Sequence, residues 1–138
     1  MLKSLLLGAV LGTSLIASAS AQDYPTQDID LVVPFDPGGS VDVTSRLLAE
    51  AANKYLDGVS VVVSNRAGGG GVVGQSFVSK AKPDGYTVLA MTSSVVTNPQ
   101  LKGAPYNIED FTPVAAYNLD PEVIAIPASS PFQTIDDF

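Results

Sequence analysis

Residues 29–40 read IDLVVPFDPGGS, an apolar run followed by a break that contains glycine and proline. The run before Pro34 favours a β-strand at residues 29–33. From Ser40 the apolar residues recur at helical spacing as far as Tyr55. This stretch therefore predicts a strand, a tight loop and a helix in direct succession.

The same unit recurs along the chain. A strand is predicted at residues 59–63, a glycine turn at 68–71 and a helix at 72–81, and a third strand at 87–91 is followed by a polar turn at 92–94. Strands that alternate with helices in this way are typical of a parallel sheet with right-handed crossovers. We therefore predict the α/β class, with a sheet flanked by helices.

The remaining third of the chain is less regular. Residues 98–106 contain two prolines and little periodicity, and they are predicted to be irregular. Apolar runs at 112–116 and 123–127 indicate two more strands, which would make the sheet parallel or mixed. The end of the chain carries a helix start, because Thr134 is a good N-cap and two aspartates follow in the first turn. We therefore expect this sequence to stop just inside a helix.

The N-terminal residues have the three parts of a secretory signal peptide. Lys3 precedes an apolar run, and the small residues after it allow cleavage behind Ala19 or Ala21. The apolar run is shorter than the roughly 20 residues that a spanning helix needs, although an uncleaved anchor is the alternative. We predict a signal peptide at residues 1–21 and an exported portion at 22–138.

Composition excludes several classes of function. The chain has 7 Lys and Arg against 14 Asp and Glu, a net charge of -7. Removing residues 1–21, which hold Lys3 and no acid, leaves 6 against 14 and lowers the net charge to -8. Such acidity argues against nucleic acid or an anionic membrane surface as a partner. There is no His and no Cys, which removes disulfides, thiolate metal sites and histidine-based catalysis. We predict no catalytic residue, no metal and no cofactor.

Three loops fall where ligands of open parallel sheets lie, beyond the carboxyl ends of the strands. They are the first loop (residues 35–40), the second loop (65–71) and the third loop (92–94). Free amides at helix N-termini and close backbone approach at glycine favour an anion, and Ser40, Ser93 and Ser94 add hydroxyl groups. Arg66 is the cation expected nearby. These loops predict a site for a carboxylate or phosphate.

A nucleotide-dependent enzyme is the competing interpretation of the glycines. Gly69, Gly71 and Gly74 have the spacing of a dinucleotide fingerprint after a strand. That fingerprint also needs an acid about 20 residues further on, and Asp84 comes too early and lies in a turn. The phosphate-loop pattern, a glycine followed by Lys and then Ser or Thr, does not occur.

Several motifs, taken in order, resemble the Bug (TctC-like) family of periplasmic receptors of tripartite tricarboxylate transporters. The resemblance lies in Tyr24-Pro25, residues 31–42, residues 63–71 with Gly74, residues 82–87, Asn98-Pro99, residues 106–114 and residues 131–138. It implies a two-lobed periplasmic binding protein of the Venus-flytrap type, monomeric, that captures a small organic acid and delivers it to membrane transporter subunits. Family members are about twice this length or more, so we expect only the first part of an incomplete lobe here. A sensory role on the same scaffold is the alternative.

The resemblance also implies which residues hold the ligand. Backbone amides and small polar groups of the strand–helix loops bind the carboxylate in this family. Carried over to this sequence, the ligand-binding set is Phe35, Gly38, Gly39, Ser40, Asp42, Gly68, Gly69, Gly70, Gly71, Ser93 and Ser94. Two positions depart from the family pattern: Asp36 stands where a small or apolar residue is common, and Ala67 where proline is common. Because Asp36 adds a carboxylate to the first loop, it affects which ligand charge this site would prefer.

Overall fold

The computed structural model describes residues 23–121 and 123–137. The predicted signal peptide lies outside these residues. Three parallel strands form one sheet: β1 (Ile29–Val33), β2 (Val61–Asn65) and β3 (Thr87–Leu89), in the order β2-β1-β3. The predicted α/β class is confirmed, and the described sheet is parallel rather than mixed.

In the described part of the chain, an α-helix follows each of the three strands in turn. These helices are α1 (Ser40–Ala52), α2 (Val72–Val78) and α3 (Ser94–Lys102). Short 3₁₀ turns also occur in the described chain, at Asn53–Tyr55, Gly69–Gly71, Ile108–Asp110 and Ile135–Asp137. Among the described residues, no helix has the length and apolar character needed to cross a bilayer.

The central strand explains why residues 31–33 are continuously apolar. Val32 and Val33 are fully buried, and Leu31 nearly so, because neighbouring strands and helices cover β1 on both sides. Parallel strands buried on both faces have apolar runs rather than alternation. Leu31 and Val33 form one core cluster with Ala90. Val95 belongs to a second cluster, beneath α3.

Strand β2 begins two residues later than predicted, at 61 rather than 59. The amide of Val61 donates to the side chain of Asn53 at 2.7 Å, and that of Ser60 donates to Asp28 at 2.7 Å. Pairing with β1 starts at Ile29, opposite Val61. These side-chain contacts hold the approach to the strand as a loop, and propensity alone does not reveal them.

Two other boundaries are shorter than predicted. Helix α2 ends at Val78 rather than 81, and a turn follows in which the amide of Ala81 donates to the carbonyl of Val78 at 3.0 Å. Strand β3 ends at Leu89 rather than 91, although the amide of Ala90 still donates to Val32 at 2.9 Å.

Helix α3 corrects the predictions of a polar turn at 92–94 and of irregular chain at 98–106. Proline inside a helix lacks an N–H donor, and Pro99 lies within α3. The buried side of the helix includes the polar Asn98, so its hydrophobic periodicity is weak. Burial of Val95 and hydrogen bonding of Asn98 to neighbouring elements outweigh the unfavourable local sequence.

The two strands predicted at 112–116 and 123–127 are wrong for the described chain. Both segments are irregular and exposed, and Val114 and Val123 are 87% and 81% accessible. A β-strand requires a hydrogen-bonded neighbour, and within residues 23–121 and 123–137 only β1, β2 and β3 pair.

The helix start predicted at Thr134 corresponds to a helical turn at Ile135–Asp137. The carboxylate of Asp137 accepts hydrogen bonds from the backbone amides of Gln133 and Thr134.

Candidate functional site

The three loops lie side by side at one edge of the sheet. Each follows the carboxyl end of a strand, and the three strands are parallel neighbours. The first loop follows the central strand β1, so it lies between the second loop, after β2, and the third loop, after β3. The predicted common edge is therefore present.

Asp42 organises the first loop. Its side chain is buried, with 3% of its surface exposed. One carboxylate oxygen accepts from the amide of Gly38 at 2.9 Å, and the other accepts from the side chain of Asn65 at 2.9 Å. The Asn65 amide also donates to the carbonyl of Phe35 at 3.1 Å. The start of α1, the first loop and the end of β2 are thereby tied together.

Arg46 completes the surroundings of this carboxylate. It lies one helical turn after Asp42 and donates to both oxygens, at 3.1 and 2.8 Å, and a further bond reaches Asn65 at 2.9 Å. Hydrogen bonds from Arg46, then from Gly38 and Asn65, hold the pKa of Asp42 well below its usual range. The same pairing raises the pKa of Arg46. Asp42 is therefore ionised and fully engaged by protein groups.

The N-terminus of α1 presents the exposed part of the first loop. Gly39 is the N-cap and has no side chain with which to cap the first turn. The early amides of a helix have no partner within the helix and favour negative charge. The exposed hydroxyl of Ser40 donates to the carboxylate of Asp120 at 2.8 Å, and Asn118 donates to the other Asp120 oxygen at 2.9 Å. A carboxylate thus already lies at this helix end.

The second loop depends on its four glycines. Gly68, Gly69, Gly70 and Gly71 all have φ between +60° and +140°, a region that other residues seldom adopt. The carbonyl of Gly68 accepts from the amides of Gly71 and Val73 at 3.1 and 3.3 Å, which closes the turn onto α2.

Two carbonyls of the second loop bind α3. Lys102 donates to the carbonyl of Gly69 at 3.0 Å, and Asn98 donates to that of Gly70 at 3.0 Å. Lys102 is a cation that the sequence pattern did not identify at this site. The expected cation, Arg66, lies over the ring of Phe77 with 3.7 Å between its guanidinium carbon and the ring centroid.

The third loop leads directly into α3. Ser93 is exposed at the N-cap position, whereas Ser94 is partly buried in the first turn. The Ser94 hydroxyl shares a hydrogen bond of 2.8 Å with that of Thr92, and it accepts one of 2.8 Å from Gln75. Ser93 and Ser94 therefore have different surroundings, although the sequence treats them alike.

Sequence reasoning missed Gln75, Asn98 and Lys102. Gln75 and Asn98 are buried polar residues that connect the loops, and Gln75 has no exposed surface. A glutamine within a predicted amphipathic helix is normally assigned to the exposed face, so the sequence pattern did not indicate that Gln75 is buried. Asn98 appeared only as part of the Asn98-Pro99 resemblance.

Among the residues predicted to bind the ligand, the structure groups Phe35, Gly38 and Asp42 around the first loop. The part played by each predicted residue in ligand binding stays a prediction.

Two open grooves lie elsewhere. One, of about 300 Å³, is lined by Thr44, Leu47, Leu48, Tyr117 and Asn118. The other, of about 170 Å³, is lined by Ile124, Ile126, Gln133, Thr134 and Ile135. Neither contains a residue of the three loops. In the part of the chain that the structure describes, no three acidic side chains come together as metal ligands would.

Comparison with known proteins assigns the family. Residues 44–138 match the TctC family, described as the tripartite tricarboxylate transporter family receptor. The chain belongs to the TctC family. The matched region runs from within α1 to the end of the sequence, and it contains the second and third loops.

Curated relatives of this TctC chain include proteins of Bordetella. It is 41% identical over 138 residues to a UPF0065 protein of Bordetella bronchiseptica, and the match covers 98% of the chain and 41% of that relative. It is 43% identical over 114 residues to the protein BugT of Bordetella pertussis, and this match covers 79% of the chain and 35% of BugT. The chain therefore spans about two fifths of the length of these TctC relatives.

Two solved structures are similar in fold as well as in sequence. A TctC solute binding protein from Polaromonas is 35% identical, with a TM-score of 0.68, over 83% of this chain and 40% of that one. MatC from Rhodopseudomonas palustris, determined with bound malate, is 33% identical, with a TM-score of 0.56, over 68% of this chain and 33% of that one.

Proposed function

We propose that this TctC protein is a periplasmic solute-binding receptor that captures a small carboxylate for a tripartite transporter. The observation that carries the proposal is the edge formed by the three loops in a chain of this family. Glycine amides and serine hydroxyls meet there at the N-terminal ends of helices. Such groups bind a carboxylate without a buried lysine.

The ligand's carboxylate binds at the amides of Gly39 and Ser40 in the exposed part of the first loop, because the amide of Gly38 already donates to Asp42. The contact between Ser40 and the carboxylate of Asp120 supports this, because it displays the required chemistry within the chain. The amides of Gly68 to Gly70 and the exposed hydroxyl of Ser93 provide further donors in the neighbouring second and third loops. Asp42 contributes by holding the first loop in shape, since its oxygens are already occupied by Gly38, Asn65 and Arg46.

Dicarboxylates such as malate are the first ligands to test. A related structure contains bound malate. Asp36 is exposed in the first loop and adds negative charge beside the proposed anion site. Its repulsion would favour ligands with one carboxylate at this edge and a hydroxyl or amine near Asp36. Transporter subunits in the membrane are the proposed partners, and the receptor acts as a non-enzymatic monomer in the periplasm.

Calorimetric titration of the complete gene product tests this function. Malate, succinate and citrate are the probes, and malamide, which keeps the shape of malate without its charges, is the control. We expect saturable binding of at least one acid and none of malamide, with a rise in Tm from ligand linkage. A folded protein that binds none of the three acids would overturn the proposal.

A further inference from the structure

Gln75 is a polar side chain with no exposed surface, and it lies between the second and third loops. Its amide nitrogen donates to Ser94 at 2.8 Å. Its amide oxygen accepts from Asn98 at 2.8 Å and from Tyr106 at 2.7 Å. Three bonds to α3 and to the chain after it therefore meet on one residue of α2.

The network extends from Gln75 into the second loop. Asn98 uses the same amide group to donate to the carbonyl of Gly70 at 3.0 Å. A methyl group added at Gly71 would come within 2.9 Å of the Gln75 nitrogen. The glycine at this position therefore leaves the space through which the glutamine amide passes.

The network also extends into the third loop. Ser94 receives the bond from Gln75 and exchanges another with Thr92, at 2.8 Å. The neighbouring Ser93 is exposed and lies outside this chain of hydrogen bonds. The two loops are thus joined through Gln75 by a short series of direct contacts.

The amide of Gln75 has a single favourable orientation. Two donors face its oxygen and a hydroxyl oxygen faces its nitrogen. Rotation by half a turn would place the NH₂ group of Gln75 against that of Asn98, whose orientation is held by the carbonyl of Gly70. An unpaired polar group in a buried site is costly, so this network has one stable geometry.

We propose that Gln75 is a positioning residue that fixes the second loop relative to the third. The amides of Gly69 and Gly70 and the hydroxyl of Ser93 are thereby held at a set separation for a bound carboxylate. The ligand part of this inference rests on the proposed function. The coupling between the two loops is a property of the ligand-free protein.

The coupling is tested by amide hydrogen exchange of the ligand-free complete gene product. In Gln75→Met and in Ser94→Ala we expect the amides of Gly71 and Val73, which donate to the carbonyl of Gly68 in the second loop, to exchange about five- to tenfold faster, as loss of one buried hydrogen bond implies. Amides of Gly38 and Gly39, in the first loop, should keep the wild-type rate. Ser93→Ala is the matched control and should leave the second loop unchanged.

A purely structural role would give a different pattern. Uniform acceleration that includes the first loop, or no response of the second loop to Ser94→Ala, would overturn the coupling. The double variant Gln75→Met/Ser94→Ala should exchange no faster in the second loop than Gln75→Met alone. If Gln75→Met fails to fold, the milder Ser94→Ala still decides the question.

Malate titration tests the consequence for binding. If the wild type binds malate, Ser94→Ala and a folded Gln75→Met should bind at least about fivefold more weakly, the loss expected for one misplaced hydrogen bond. Equal affinity in all three proteins would overturn the ligand part of the proposal. A wild type that binds no acid counts against the proposed function, whereas the exchange result then decides the coupling by itself.

Discussion

The carboxylate of Asp42 accepts a hydrogen bond from the backbone amide of Gly38, four residues earlier, at 2.9 Å. A side chain from the first turn of α1 thereby holds the loop that precedes its own helix. The same carboxylate binds Asn65 at the end of β2 and Arg46 in the next helical turn. One buried anion thus determines the shape of the first loop.

Replacing Asp42 by Asn should destabilise the fold. The new NH₂ group would face at least one of the donors from Gly38, Asn65 and Arg46, and a buried donor would lose its partner. We expect Tm to fall by about 5 °C or more in thermal unfolding. Asp36→Asn, at an exposed position in the same loop, removes the same charge and should change Tm by less than about 2 °C. Equal Tm values for the two variants would contradict this assignment.

The stability contributed by Asp42 should depend on pH. Its folded pKa is lowered, first by Arg46 and then by Gly38 and Asn65. Such a group contributes its full stabilisation above the unfolded pKa, near about 4, and loses it as pH falls toward the folded pKa. The Tm difference between wild type and Asp42→Asn should therefore be largest near neutral pH and shrink below about pH 4. A difference that stays constant from about pH 7 to about pH 2.5 would exclude the carboxylate as its source.

Gly74 should not tolerate a methyl group. A Cβ there would lie 2.8 Å from the Cα of Pro34 and 2.9 Å from the carbonyl of Arg66, and both contacts involve backbone. We expect Gly74→Ala to lower the free energy of unfolding by about 1–3 kcal/mol, as overpacking typically does. Gly39→Ala is the matched control, because its Cβ would meet nothing closer than 3.7 Å and its φ of -76° is ordinary. Denaturant unfolding of both variants checks this, and a smaller loss in Gly74→Ala than in Gly39→Ala would contradict it.

Ser40 and Asp120 should have opposite effects on the proposed ligand. Asp120 occupies the hydroxyl of Ser40 in the ligand-free chain, at 2.8 Å. We expect Ser40→Ala to weaken malate binding about five- to tenfold through loss of one donor to a charged acceptor. Asp120→Asn should strengthen binding, because it removes a competing negative charge. Calorimetric titration of the two variants measures both effects, and equal shifts in the same direction would contradict this role for the pair.

The first unit of the fold was predictable because its signals are local. A buried parallel strand, a glycine break and an amphipathic helix each leave a pattern within a few residues, and β1 has the predicted bounds of residues 29–33. Helix α3 was not predictable by these signals, since it contains Pro99 and buries Asn98. Its stability depends on partners that are distant in sequence, Gln75 and Gly70.

The candidate site was predicted at the level of loops rather than of bonds. Topology places the carboxyl ends of parallel strands together, so the shared edge follows from the order of elements. The sequence does not show which polar groups already have hydrogen-bond partners within the protein. In the structure, the side chains of Asp42 and Ser94 are largely satisfied by hydrogen bonds to neighbouring protein groups. Ser93, with the same chemistry as Ser94, stays exposed.

The bond from Tyr106 to Gln75 has a practical consequence. The sequence has no tryptophan and five tyrosines, so tyrosine is the intrinsic fluorophore of this protein. Tyr106 is 4% exposed, and burial raises the pKa of its hydroxyl. Tyr106 therefore contributes emission from the interior between α2 and α3, and the difference in emission between the wild type and Tyr106→Phe isolates that contribution without any label.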